Sequence, residues 1–95
     1  MSDNEIKTGQ ATVTAAGTAE LLITMGEMST RITIKALATN TGNIYVGTST
    51  VDSADGFILA AGEEVTIVIE MGQTDIYIDS DVNGEGVSYI YWNGQ

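Results

Sequence analysis

Residues 30–38 read TRITIKALA and residues 64–70 read EVTIVIE. In the first, Ile32, Ile34 and Ala36 alternate with Arg31, Thr33 and Lys35; in the second, Val65, Ile67 and Ile69 alternate with Thr66, Val68 and Glu70. A period of two puts every second side chain on one face, the pattern of a half-buried strand. The β-branched residues that fill both stretches suit a pleated backbone better than a helix. Asp75–Asp79 (DIYID) repeats the pattern with Ile76 and Ile78 inward.

Outward from these segments, Ala11–Ala15, Glu20–Thr24, Asn43–Gly47, Phe57–Leu59 and Val87–Trp92 read as further short strands. Turn chemistry separates them at Ala16-Gly17, Thr41-Gly42, Asp55-Gly56, Ala61-Gly62, Met71-Gly72 and Asn83-Gly84. Asn83-Gly84 is the best tight-turn signal, because both residues tolerate positive φ. Thr48–Ala54 reads as a loop or a single helical turn. The expected fold is all-β, an antiparallel β-sandwich (jelly-roll-like or Ig-like) of about seven to eight short strands. A chain of 95 residues makes one domain. The polar stretch MSDNEIKTGQ, residues 1–10, reads as a flexible N-terminal arm, and residues 11–95 as the sandwich.

Thirteen acidic residues against Lys7, Arg31 and Lys35 give a net charge of −10. Such a surface repels phosphate backbones and anionic lipid, so neither nucleic acid nor a membrane is an expected partner. The first residues lack the apolar core of a signal peptide, and no run approaches the ~18 apolar residues of a membrane span. The expectation is a protein made and used without crossing a membrane by the general secretory route. Neither cysteine nor histidine occurs, so thiolate metal sites, disulfides and the usual nucleophile–base pairs are not available.

The remaining chemistry is thin. Paired carboxylates serve glycoside hydrolysis, but Glu63-Glu64 sits where a turn enters a strand, and neighbouring side chains there point to opposite faces. No phosphate-cradling glycine motif is present. Asp79–Glu85 (DSDVNGE) matches the first half of an EF-hand calcium loop, with Asp79, Asp81, Asn83 and Glu85 as oxygen donors and a glycine at Gly84. The bidentate position falls on Ile90, however, and a hairpin loop uses the same residues. Calcium site and plain turn both stay open. No cofactor is expected, and no catalytic residue is assigned.

Two-sided apolar character is the other departure from a simple sandwich. In VSYIYW (87–92), Val87, Tyr89 and Tyr91 share one face while Ile90 and Trp92 share the other. Tyr45, Val68 and Tyr77 fall on the nominally outward face of their strands. Edges covered by loops explain this, and so does a subunit contact, since aromatics are enriched at interface cores. Ile6, Lys7, Arg31, Lys35, Tyr45, Tyr77, Ile90 and Trp92 are the interface candidates.

The stretch from Thr33 to Ile69 resembles a pattern common in small tailed-phage virion proteins. The resemblance rests on Ile34-Lys35-Ala36, the turn Asn40-Thr41-Gly42, the strand Ile44–Gly47, the segment Gly56–Leu59 and the strand Gly62–Ile67. Ala16–Leu21 and Asp75–Ser80 resemble its flanks. It implies a structural protein of the virion rather than an enzyme. The first expectation is a head decoration (cement) protein, a homotrimer assembled in the host cytoplasm, that binds the major capsid protein at capsomer junctions. The alternative is a receptor- or carbohydrate-binding sandwich module of a tail or head fibre.

Overall fold

The computed structural model describes residues 5–26, 29–69 and 74–93. These form eight strands: β1 (Glu5–Thr12), β2 (Glu20–Met25), β3 (Ser29–Ala36), β4 (Ile44–Gly47), β5 (Phe57–Leu59), β6 (Glu64–Val68), β7 (Thr74–Ser80) and β8 (Gly86–Asn93). They make two antiparallel four-stranded sheets, β1-β8-β3-β6 and β2-β7-β4-β5. No described residue is helical, and 48–56 is built from turns and bends.

The strand order has a simple origin. β1 pairs with β8, β2 with β7, β3 with β6 and β4 with β5. The chain is therefore one long antiparallel hairpin closed at β4–β5 and rolled up, which is jelly-roll rather than immunoglobulin connectivity. Every connection except β4 to β5 crosses from one sheet to the other.

The alternation read in the sequence builds the core. Ile32, Ile34, Ala36 and Val87 from the first sheet meet Ile44, Val46, Leu59, Ile76 and Ile78 from the second, with Val13, Met25 and Ile69 closing the ends; all are buried. Burying one such side chain stabilises the fold by roughly 1.5 to 3 kcal/mol. Val65, Ile67, Tyr89 and Tyr91 are half-buried around this cluster. A cleft of about 320 Å³ lined by Val46, Phe57, Val65, Ile67 and Ile76 is the open side of the core between β5 and β6.

The arm expected over residues 1–10 needs correction. Residues 1–4 lie outside the described residues, and 5–10 belong to β1, in unbroken register with β8 from Glu5↔Asn93 to Thr12↔Gly86. The apolar period failed to show this because β1 is an edge strand whose inward positions, Lys7, Gly9 and Ala11, hold no large apolar residue. A Cβ on Gly9 would lie 2.5 Å from the Tyr89 hydroxyl, so the glycine makes room for the aromatic ring opposite it. Lys7 takes the inward register position opposite Tyr91, yet is exposed at the rim. A lysine so placed discourages another strand from adding to this edge.

Candidate functional site

Two regions concentrate the polar and apolar features left over from the core. The first is the end of the sandwich where 13–19, 37–43 and 81–85 cross between sheets. A crossing loop has no ladder to accept its N–H groups, and with no proline in the chain every loop residue carries one. Side-chain oxygens take the place of the ladder. Glu20 accepts the N–H groups of Thr14 and Ala15 at 2.8 and 3.1 Å, and Asn83 accepts that of Ala16 at 2.7 Å. The buried Asp79 carboxylate accepts N–H from Gly17 and Ser80, both at 2.8 Å.

Glu85 holds the next loop, accepting the N–H and hydroxyl of Thr41 at 2.7 and 2.8 Å and the Gly42 N–H at 2.9 Å. Asp81 accepts the Asn43 N–H at 2.9 Å and the Tyr45 hydroxyl at 2.8 Å. These bonds favour the ionised carboxylates. The Gly42 and Thr41 N–H groups hold Glu85 below its ordinary pKa, and the Asn43 N–H and Tyr45 hydroxyl do the same for Asp81. The Asp81 bond, with burial, raises Tyr45 above the ordinary phenol value. Beneath them, buried Asn40 donates to the Gly86 carbonyl at 2.8 Å and accepts the Gly86 N–H at 3.2 Å.

Asp79, Asp81, Asn83 and Glu85, weighed in the sequence between a calcium site and a plain turn, each bind the loops here. All four residues fall in this region, Asn83 and Asp79 on the 13–19 loop and Asp81 and Glu85 on the 37–43 loop, and their oxygens already accept N–H or O–H groups. Among the described residues, no group of three or more acidic side chains is placed to hold a metal ion. The turn Asn83-Gly84 reaches positive φ only at Gly84, at 83°. Glu63 and Glu64 diverge as expected: Glu63 accepts the Ala60 N–H at 2.9 Å, while Glu64 lies beside Lys35 on β6.

The second region is the outer face of the first sheet. Cross-strand partners share a face, so the register assembles it in rows. Ile6 lies opposite Trp92, and Arg31 opposite Val68. Thr8, Ile90, Thr33 and Thr66 form the next row, and Gln10, Ser88, Lys35 and Glu64 the third. Ile6 (58%), Val68 (63%), Trp92 (43%) and Ile90 (41%) are all substantially exposed. The Thr33 and Thr66 hydroxyls bond each other at 2.8 Å. A shallow hollow of about 190 Å³ runs between Arg31, Thr33, Thr66, Ile90 and Trp92.

Five of the interface candidates thus meet on one face: Ile6, Arg31, Lys35, Ile90 and Trp92. Lys7 sits at its rim. Tyr45 and Tyr77 do not join them, because both belong to the second sheet. Tyr45 is buried: Gly56 of the 48–56 loop lies against it, and its hydroxyl is held by Asp81. Tyr77 lies half-buried opposite exposed Leu21. Val68 belongs with the face and was legible as an outward apolar residue, but only the β3–β6 register shows that it adjoins Arg31. Compared with models of the known protein families and with curated sequences, the chain matches none.

Proposed function

We propose that this protein acts by protein–protein binding alone, as a structural component of a phage virion. In this reading it is a decoration protein on the outer surface of the head at capsomer junctions, stabilising the shell against internal pressure. The observation that carries the binding role is the outer face of the first sheet: an exposed apolar strip, Ile6–Trp92–Ile90, with Val68 across Arg31 from it, beside Lys35 on an otherwise acidic body. Exposed apolar surface that is contiguous and rimmed by polar groups marks interaction sites. The assignment to a virion is supported by the resemblance across Thr33–Ile69.

A second reading has its own support. Trp92 beside Arg31, Thr33 and Thr66 offers a flat ring next to hydrogen-bonding groups, which suits stacking against a sugar in a fibre module. Quantitative mass spectrometry of particles made from the genome encoding this chain separates the two. Decoration requires on the order of hundreds of copies per particle, following the multiplicity of capsid junctions. Tens of copies or fewer would shift the assignment to a tail or fibre module, and absence from purified particles would overturn the virion reading.

A further inference from the structure

We infer that the outer face of the first sheet is closed by a second copy of the same chain, related by a two-fold axis running along the strands. The inference rests on the reading of this face as a protein-binding surface, and it names the occupant in the free protein, which capsid contact through the same face would displace.

Charge selects the face. Two bodies of net charge −10 repel, so close contact is least opposed where acidic groups are scarce. Of the described acidic side chains only Glu64 lies on this face, against Arg31 and Lys35. The others tie loops, lie in the 48–56 segment, or, as Asp75 does, bond Thr24 on the second sheet.

Register then selects the axis. A two-fold along the strands keeps each row at its level and exchanges the two sides of the sheet, in the order β1-β8-β3-β6. Ile6 then meets the partner's Val68, and Trp92 meets the partner's Arg31, twice by symmetry. A guanidinium over an indole face is a favourable pairing, and more so when desolvated. In the second row Ile90 covers the partner's Thr33. In the third, Lys35 meets the partner's Ser88, and Glu64 meets the partner's Gln10. No like charges oppose each other. An axis across the strands would instead bring Arg31 over the partner's Lys35, which disfavours it. Pairing through the β1 edge is also opposed, since inward Lys7 guards it.

Size bounds the strength. Four strands at about 4.8 Å spacing and five to eight residues at about 3.4 Å each give a face roughly 19 Å wide and 17 to 27 Å long. Two such faces bury roughly 650 to 1,000 Å², at or below the lower bound for a specific contact. A contact of this size suits weak, reversible association in place of an obligate dimer.

Sedimentation velocity on the full chain tests this from about 1 to 500 μM, in about 0.15 and 0.5 M NaCl. The expected result is reversible exchange between a 10.0 kDa monomer and a dimer of twice that mass, strengthened by salt because screening relieves the repulsion between acidic bodies. Trp92→Ala and Val68→Lys each weaken association at least tenfold while circular dichroism stays β, and Leu21→Lys on the second sheet leaves it unchanged. A monomer throughout, a trimer, or a dimer indifferent to both face variants overturns the inference. A monomer in solution that is nonetheless abundant on particles would remove the self-contact and leave the proposed function standing. A face-dependent dimer absent from particles would do the reverse.

Discussion

The crossing-loop end and the outer face of the first sheet solve opposite problems with the same small repertoire. At the loop end, backbone N–H groups of 14–17 and 41–43 have no strand to pair with, and carboxylates together with the Asn83 amide oxygen supply the missing acceptors. On the outer face the backbone is already satisfied by the ladder, so its side chains are free of that duty. The acidic composition is therefore not a uniform solvated coat. Glu20, Asp79, Asp81 and Glu85 are structural, and their retreat from the first sheet leaves an apolar surface that a like-charged molecule can approach. One end carries the side-chain bonds that hold the loops, and one face, on the proposed reading, serves association, so substitutions in the two regions should move different observables.

The largest effect is expected beneath the crossing loops. Asn40→Ala removes the acceptor for the buried Gly86 N–H, while the Gly86 carbonyl keeps its bond from Leu37. An orphaned buried donor costs about 2 kcal/mol, or roughly 10 °C in Tm for a domain of this size. Thermal unfolding by circular dichroism checks it, and a change under about 2 °C would show that water replaces the side chain and that this end is less tightly sealed than described.

Acid should act on the same end next. Asp81 and Glu85 have folded pKa values below their unfolded ones. A depressed carboxylate contributes stability that is complete above its unfolded pKa and is lost as pH falls through the folded value. Stability should therefore decline from about pH 4 downward, and Glu85→Gln should flatten that decline. Tyr45 gives the opposite limb: its raised pKa contributes stability below the ordinary phenol value, lost as the solution becomes strongly alkaline. Tm measured from pH 3 to 11 reads both limbs, and an acid limb identical in Glu85→Gln would remove Glu85 as its source.

On the outer face the sign of the contrast reverses. Val68→Thr keeps β-branching at a position 63% exposed, so stability should change by less than about 0.5 kcal/mol while association weakens. A large loss of stability there would erase the distinction between the two regions.

How much of this was legible depends on which physical signal each element carries. β3, β6 and β7 announced themselves through alternating Ile and Val, because one of their faces is buried and the other is not. β1 carried no such signal: its inward positions are Lys7, Gly9 and Ala11, and what makes it a strand is pairing with β8, a contact between the two ends of the sequence. The jelly-roll order lay beyond a local reading for the same reason, since β1–β8, β2–β7 and β3–β6 are long-range pairs. Of the outer face, Ile90 and Trp92 were visible by parity, but their adjacency to Arg31, Ile6 and Val68 is a matter of register. Tyr45 misled because a loop covers the outer side of β4, and no periodicity reports a loop folding back.

The smallest expected effect concerns calcium, where composition and geometry give different answers. Asp79, Asp81, Asn83 and Glu85 lie within seven residues of one another, in the spacing of an EF-hand half-loop. Binding would require six or more oxygens to converge, and these four residues are split between the loop at Ala16-Gly17 and the loop at Thr41–Asn43. An ion would therefore have to break several existing hydrogen bonds, each worth about 1 kcal/mol net and more where the acceptor is charged, before it gained a ligand. Mass action stabilises a protein only as far as the ion binds the native state. Calcium at about 5 mM should accordingly raise Tm by no more than a few degrees, and magnesium at the same ionic strength should do the same through screening of the −10 charge. A larger shift specific to calcium and abolished by Asp81→Ala would show that the crossing loops rearrange around an ion, and that this end of the molecule is a binding region as well as a structural one.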